Sequence, residues 1–159
     1  MLYAYSNNGL SFRAITSSAD LEAGEVEFNG LATSAELAAA FSGYTAAVAA
    51  QQVPINAAAA LAGGLAVTST STSSLNGTYA VDSNTTAEIN AEITSILLNT
   101  TFTDGTTALA WPDVTGAAHS FNVAQFKALA TAIASFVTSV NKYARGQLSS
   151  LPPSTAVIA

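Results

Sequence analysis

His119 is the only histidine in the chain, and it is the residue best suited to acid–base chemistry. In a catalytic triad a carboxylate orients the imidazole ring, and the ring activates a neighbouring hydroxyl or thiol. Asp82 or Asp113 could orient His119, but no motif such as Gly-x-Ser-x-Gly marks a nucleophile. We therefore expect His119 to face Trp111 across a hairpin or to bond a turn carbonyl, and we predict that the chain is not an enzyme.

The carboxylates give no stronger indication of a catalytic or metal site. Asp104-Gly-Thr and Asp113-Val-Thr-Gly lack EF-hand spacing and are typical of Asx turns. Glycoside hydrolysis needs two carboxylates flanking the scissile bond. The sequence gives no reason to pair any two of Asp82, Glu88, Glu92, Asp104 and Asp113. The chain contains no cysteine, which excludes thiolate catalysis and disulfides, and we predict no metal and no cofactor.

Tyr79, Trp111 and Asp113 are a candidate ligand platform. An exposed indole at Trp111 could stack on the face of a sugar, with Asp113 and Tyr79 beside it. A tryptophan in a strand that faces a long apolar helix more often belongs to the core. Exposure of Trp111 or Tyr79 would favour carbohydrate binding, and burial of both would count against it.

Charged residues are few and unevenly placed. They make up 9% of the chain, whose formal net charge is −6, against about 25% in typical soluble domains. All ten acidic residues lie between Asp20 and Asp113, while Lys127, Lys142 and Arg145 are three of the four basic ones. Three scattered cations do not follow a phosphate backbone, so we expect no nucleic-acid partner. The acidic front and basic end permit electrostatic contacts between adjacent subunits. Cations near a helix C-terminus, such as Lys142 and Arg145, more often interact with the helix dipole of their own chain.

The first residues and the most apolar run argue against a signal peptide and a membrane span. The N-terminus lacks a basic region followed by an apolar core. Residues 57–67 form the most apolar run, which has 11 residues, whereas a spanning helix needs about 20. We therefore expect no membrane span. The lack of cysteine leaves the cellular compartment open.

Residues 2–15 are typical of a β-hairpin. Two runs that alternate apolar with small or polar residues flank Ser6-Asn-Asn-Gly9, and Asn-Gly is a strong hairpin signal. An isolated hairpin is only marginally stable in water, so we expect this one to join a larger sheet, either within the chain or on a partner. Its predicted docking residues are Leu2, Tyr3, Tyr5, Leu10, Phe12 and Ile15.

A short strand at residues 25–28 and a helix from about Ser34 are predicted next. Thr33 and Glu36 have the spacing of a capping box. The residues on one face of this helix are Leu37, Phe41, Tyr44 and Val48. Pro54 should end or kink the helix, and a short alanine-rich helix over residues 54–62 should follow. Residues 65–74 suit a solvated strand or linker, so we place a domain boundary between residues 62 and 74.

The remainder predicts a compact α+β module. A turn at Asn76-Gly77 and a strand precede a helix from about Asp82 to Asn99, whose apolar face comprises Ile89, Ile93, Ile96 and Leu97. A second hairpin pairs residues 108–111 with 118–121. The longest helix, about residues 122–144, begins at an Asn122/Gln125 capping signal. Its core face comprises Phe126, Leu129, Ile133, Phe136, Val137 and Val140.

The predicted fold class is therefore α+β, with an N-terminal hairpin and short helices followed by a hairpin packed on two helices. We divide the chain into an attachment region over residues 1–64, the compact module over residues 65–145, and an extended tail over residues 146–159.

Residues 65–145 resemble a known family. The resemblance rests on Leu75-Asn-Gly-Thr-Tyr-Ala-Val-Asp82, Trp111-Pro-Asp113, Gly116, His119-Ser-Phe121 and the helix that carries Phe126 and Leu129. In this order and spacing, they are similar to a small domain of unknown function that recurs in tail-fibre and related structural proteins of tailed phages and prophages. The family assigns no catalytic residues.

The resemblance implies a virion location and a structural, non-enzymatic role as a tail fibre, spike or fibre-attachment protein. The implied partners are other virion proteins and further copies of the chain, with a trimer favoured by analogy. Two alternatives stay open: a receptor-binding module for a host-surface glycan, and a tail-fibre assembly chaperone.

Overall fold

The computed structural model describes all 159 residues and contains four α-helices and eight strands in three small sheets. The predicted α+β class is confirmed. The residues form two compact units, Met1–Pro54 and Ile55–Ala159, and the division falls inside the second helix.

The first unit contains a three-stranded antiparallel sheet. Its strands are β1 (Leu2–Ser6), β2 (Ser11–Ile15) and β3 (Val26–Asn29), in the order β2-β1-β3. The predicted hairpin is confirmed, with Leu2 opposite Ile15. The turn at residues 7–9 has φ angles of 51°, 55° and 79°, which asparagine and glycine adopt more readily than other residues. β3 completes the sheet within the chain.

An ion pair between Arg13 of β2 and Glu25 holds the acidic loop before β3 against the sheet. Arg13 donates to both carboxylate oxygens of Glu25, at 2.9 and 2.7 Å, and to the carbonyl of Asp20 at 2.6 Å. The hydrogen bond from Arg13 lowers the pKa of Glu25, whose side chain is only 7% exposed. The two parallel bonds also fix the geometry of the pair, as a single ammonium would not.

Two helices follow, α1 (Ser34–Ala40) and α2 (Tyr44–Gly63). The Thr33/Glu36 capping box is confirmed. The predicted continuous helix is wrong at Gly43, where an added Cβ would lie 2.6 Å from the Asn8 side-chain oxygen. The chain turns there so that Leu37, Phe41 and Tyr44 surround Gly9.

The prediction that the helix ends at Pro54 is wrong, because α2 runs through this residue. The alternative, a kink at Pro54, stays a prediction. An interior proline loses one backbone hydrogen bond and costs about 3 kcal/mol. Alanine has the highest helix propensity, and the alanine-rich sequence on both sides of Pro54 offsets that cost.

The second unit contains a sheet of β4 (Leu65–Ser69), β5 (Gly77–Tyr79) and β8 (Thr155–Ile158), in the order β5-β4-β8. The solvated strand or linker expected over residues 65–74 is a strand at Leu65–Ser69. This strand is central in its sheet rather than solvated, with Leu65, Val67 and Ser69 buried. The predicted extended tail ends in β8, which pairs in parallel with β4.

The other elements of this unit are α3 (Ser83–Asn99), β6 (Ala108–Pro112), β7 (Ala118–Asn122) and α4 (Val123–Ala144). Both helices and the β6–β7 hairpin agree with the sequence prediction. The buried face of α4 holds Phe126, Leu129, Ile133, Phe136, Val140 and Tyr143. Leu97 is 70% exposed, contrary to prediction, because the packed face of α3 runs through Ile89 and Ile96 and leaves Leu97 on its solvent side.

By length and composition, α4 could also cross a membrane: it has 22 residues and a mean hydropathy of 1.4 over its most apolar window. Core helices of soluble proteins share this property. In the structure α4 packs against α3 and against strands of the second unit.

We expect Gly64→Ala to destabilise the chain by about 1–3 kcal/mol, because a side chain is strained at positive φ. Gly64 has φ of +76°, and an added Cβ would lie 2.7 Å from the Tyr79 carbonyl oxygen. Gly63→Ala is the matched control, because Gly63 ends α2 with nothing within 4 Å of an added Cβ. Denaturant unfolding should show this control as neutral or stabilised; equal destabilisation of both variants would contradict the strain argument.

Candidate functional site

The structure brings His119 and Asp113 together at the β6–β7 hairpin. His119 lies in β7 opposite Trp111, and Asp113 begins the turn that leads into β7. His119 Nε2 lies 3.3 Å from Asp113 Oδ2, and the two side chains are 13% and 10% exposed. A histidine and the carboxylate that holds it are two of the three members of a catalytic triad, so the contacts of the other ring nitrogen decide what this pair can do.

That other nitrogen is bound to the backbone. His119 Nδ1 lies 2.6 Å from the carbonyl oxygen of Ser74, in the turn before β5. A carbonyl and a carboxylate only accept hydrogen bonds, so both ring nitrogens act as donors when the ring is protonated. His119 therefore has no free nitrogen to take a proton from a hydroxyl. The expectation that it faces Trp111 or bonds a turn carbonyl is confirmed in both parts.

The local electrostatics favour the ion pair. The hydrogen bond to the Ser74 carbonyl, followed by the interaction with Asp113, raises the pKa of His119 above 6.5 despite partial burial. Asp113 Oδ1 accepts from the amide and hydroxyl of Thr115 and from the amide of Ala117. The Thr115 hydroxyl and then His119 lower the pKa of Asp113 to about 2. The predicted Asx turn at Asp113 is thus confirmed.

Tyr79 and Trp111 do not form the candidate ligand platform. Their exposed fractions are 0% and 9%, so neither ring offers a face to a sugar. The Tyr79 hydroxyl donates to the Leu75 carbonyl at 2.6 Å, and burial followed by the charge of Asp113 raises its pKa to about 12. Trp111 packs edge-on against Phe126 of α4. Both rings belong to the core.

The remaining candidate carboxylates have local structural contacts. Asp82 caps α3 by accepting from the amides of residues 84 and 85. Asp104 accepts from the amide and hydroxyl of Thr106 in an Asx turn, as predicted. Glu92 accepts from the amide and hydroxyl of Thr103. No group of three or more His, Asp or Glu residues is placed to hold a metal ion.

Sequence reasoning missed two parts of the His119 network. Ser74 contributes a backbone carbonyl, which no side-chain pattern could reveal. The Asn76-Gly77 sequence predicts only a turn, but an added Cβ at Gly77 would lie 3.2 Å from both Asp113 Oδ2 and His119 Nε2. Glycine therefore lets β5 approach the ion pair closely, and the Asn76-Gly77 sequence was the available signal.

The predicted docking residues of the N-terminal hairpin divide between opposite faces and the turn. Ile15 is buried, Leu2 lies on the same side of the sheet as Ile15, and Leu10 lies in the turn. Tyr5 is also buried but lies on the other side, where its ring contacts Phe12 and Phe28. Tyr3, Phe12 and Phe28 remain on one side of the sheet, and we call them the aromatic surface. Phe12 is 57% exposed and contacts Tyr3 and Tyr5 at ring-centroid distances of 5.7 and 5.2 Å.

Comparison of the chain with protein-family models, curated proteins and solved structures finds no match.

The His119–Asp113 pair should make stability depend on pH. Folding raises the pKa of His119, so the protonated ring stabilises the folded state. This contribution to the free energy of unfolding is complete below pH 6.5 and is lost as pH rises through the folded-state pKa. Because folding lowers the pKa of Asp113 to about 2, its contribution is present above pH 3.8 and is lost as pH falls toward 2. The free energy of unfolding should therefore be greatest between pH 3.8 and pH 6.5.

Denaturant unfolding from pH 3 to 9 measures this profile. We expect His119→Gln to be less stable than the wild type at pH 5 and to lose the decline above pH 6.5. The same alkaline decline in His119→Gln and wild type would show that His119 is not its source.

Proposed function

We propose that this chain is a non-enzymatic structural component of a tailed-phage virion: a tail fibre, spike or fibre-attachment protein that docks on another virion protein through the aromatic surface. The observation that carries the proposal is the exposure of Phe12 beside half-buried Tyr3 and Phe28 on a sheet already completed by β3.

Exposed aromatic rings favour a protein partner. Clustered aromatic residues supply much of the binding energy at protein interfaces. Burying a phenylalanine side chain contributes about 1.5–3 kcal/mol, and Phe12 keeps 57% of its surface exposed in the isolated chain. Three neighbouring rings therefore form a surface suited to docking.

The second unit supports a structural role. His119 and Asp113 are bound by backbone and turn groups rather than poised over a hydroxyl. The rings of Tyr79 and Trp111 pack inward. These contacts suit a compact spacer more than a catalytic or sugar-binding module.

The virion setting comes from the sequence resemblance over residues 65–145, and so does the expectation of a homo-oligomer with three copies. Sparse charge fits a protein whose surface is largely covered by other subunits. Burial of Tyr79 and Trp111 counts against the alternative role of binding a host-surface glycan through those residues.

Mass spectrometry and electron microscopy of purified particles test the proposal. Particles from a phage encoding the chain should contain it at a fixed copy number on a tail or fibre axis. Phe12→Gln should fold but enter particles about tenfold less efficiently, because roughly 1.4 kcal/mol of docking energy is lost.

The matched control is Leu98→Gln, because Leu98 is 77% exposed on α3 and lies outside the aromatic surface. This variant should enter particles normally. Absence of the wild-type chain from particles would overturn the proposal, and fibres that fail to form without it would then indicate a chaperone. Equal incorporation of the two variants would exclude docking through Phe12.

A further inference from the structure

One edge of the sheet in the second unit is covered and the other is open. β5 and β8 are the edge strands of the order β5-β4-β8. The Thr78 carbonyl of β5 accepts a hydrogen bond at 2.8 Å from the amide of Val114, so the turn after β6 covers that edge. β8 pairs with β4 alone and has no backbone hydrogen bond on its other side.

Thr155 and Val157 carry the unpaired backbone groups of β8. The carbonyls of Ser154 and Ile158 accept hydrogen bonds from amides on the β4 side, each at 2.9 Å. Because successive residues of a strand direct their backbone groups to alternate sides, the even-numbered residues of β8 face β4. The amides and carbonyls of Thr155 and Val157 therefore point to the open side, where they have no hydrogen-bond partner.

Apart from its short length, β8 lacks the features that usually protect an edge strand. Protected edges carry charged side chains, a proline or a bulge. β8 contains neither a charged residue nor a proline, and its register with β4 is continuous from Thr155 to Ile158. Val157 is also 71% exposed. An edge of this kind is a template on which an extended peptide adds a strand.

A groove lies beside the open edge, between β8 and α4. It consists of two adjoining hollows of about 400 and 300 Å³, and Ala132 and Val157 line both. On the α4 side its other lining residues are mostly small, among them Ala128, Thr131, Ser135 and Ser139. Alternate side chains of a strand point to opposite faces of its sheet, so every second side chain of an added strand would enter this groove.

Lys127 places a positive charge at one end of the groove. It lines the same hollow as Ile158, at the C-terminal end of β8. The Lys127 side chain forms no ion pair within the chain, whose ion pairs all involve Arg13 or His119. An acidic side chain on an added strand would complement this charge.

We propose that the open edge of β8 binds an extended segment of a partner protein as an added antiparallel strand, with apolar side chains in the groove and an acidic residue beside Lys127. The unpaired groups of Thr155 and Val157 identify the occupant as a strand, because another extended backbone offers donors and acceptors at the matching spacing. Antiparallel pairing is slightly more stable per residue than parallel pairing. Since Lys127 lies at the C-terminal end of β8, the acidic residue belongs at the N-terminal end of the partner segment.

Binding at β8 is separate from docking through the aromatic surface, and the purified full chain tests it without a phage. The probe is the synthetic peptide Glu-Thr-Val-Thr-Val-Thr with both ends blocked, followed by amide hydrogen exchange. At a peptide concentration about ten times the dissociation constant, the amides of Thr155 and Val157 should exchange about tenfold more slowly. Unchanged exchange at millimolar peptide would overturn the proposal. Protection that rises with protein concentration in the absence of peptide would also overturn it, because a second copy would then cover the edge.

Methylation of alternate backbone nitrogens in the peptide tests whether it binds as a strand. Only every second amide of an added strand faces β8, so one of the two alternately methylated peptides should bind and the other should not. Equal binding of the two methylated peptides would contradict strand addition. This readout leaves the protein unchanged, so it does not depend on the folding of any variant.

Variants of the chain test the edge and the charge separately. Val157→Pro removes a donor on the open side while keeping the bonds to β4, and it should weaken peptide binding about tenfold. Val157→Thr keeps that donor and is the matched control, which should bind the peptide like the wild type. Equal affinities of these two variants would contradict pairing through Val157.

Lys127→Gln should weaken binding of the peptide by about twofold to fivefold, because an exposed ion pair contributes little. It should not change the binding of a peptide with glutamine in place of the glutamate. Equal effects of Lys127→Gln on the two peptides would overturn the assignment of an acidic residue to this end of the groove.

Discussion

The second unit depends on the two hydrogen bonds of His119. The β5-β4-β8 sheet and the β6–β7 hairpin share no strand pairing. His119 joins them by binding the Ser74 carbonyl before β5 and Asp113 in the hairpin turn. The Val114 amide adds a bond to the Thr78 carbonyl at 2.8 Å. The ring of Tyr79 packs on both His119 and Phe121, so this polar junction lies directly against the core.

Helix α4 provides the surface on which this junction can form. Its buried residues recur at three- and four-residue spacings from Phe126 to Tyr143, which places them on one side of the helix. Phe126 contacts Phe102, Trp111 and Phe121. Since α4 follows β7 directly, its Asn122 cap also sets where the helix starts relative to the hairpin. Aromatic residues that could have served binding are used to hold the second unit together.

Local signals made much of this fold predictable. The Asn-Gly turn gave the first hairpin, and the pairs Thr33/Glu36 and Asn122/Gln125 gave two helix starts. These signals act over two to four residues, and the structure contains each of them. The candidate site was predictable in part, because the Asx turn at Asp113 and the turn-carbonyl contact of His119 both follow from residue type.

The misjudged exposure of β4 and the missed role of Ser74 have long-range causes, whereas the error at Pro54 has a local one. The serine- and threonine-rich residues after β4 indicate a solvent-exposed segment. The strand β4 itself is covered, because it pairs with β8, almost 90 residues later in the chain. Pro54 lies within α2 because the flanking alanines favour a helix strongly enough to continue it. The backbone carbonyl of Ser74 binds His119, which lies 45 residues later in the chain. Contacts between distant residues and backbone groups leave no local sequence pattern.

Nuclear magnetic resonance of the single imidazole tests most directly whether His119 is a structural junction. The chain has one histidine, so its ring signals need no assignment among alternatives. We expect the ring to titrate above pH 6.5, with a slowly exchanging proton on Nδ1, and to titrate at lower pH in Asp113→Asn. A ring that titrates at or below pH 6.5 with fast-exchanging protons on both nitrogens would contradict this account.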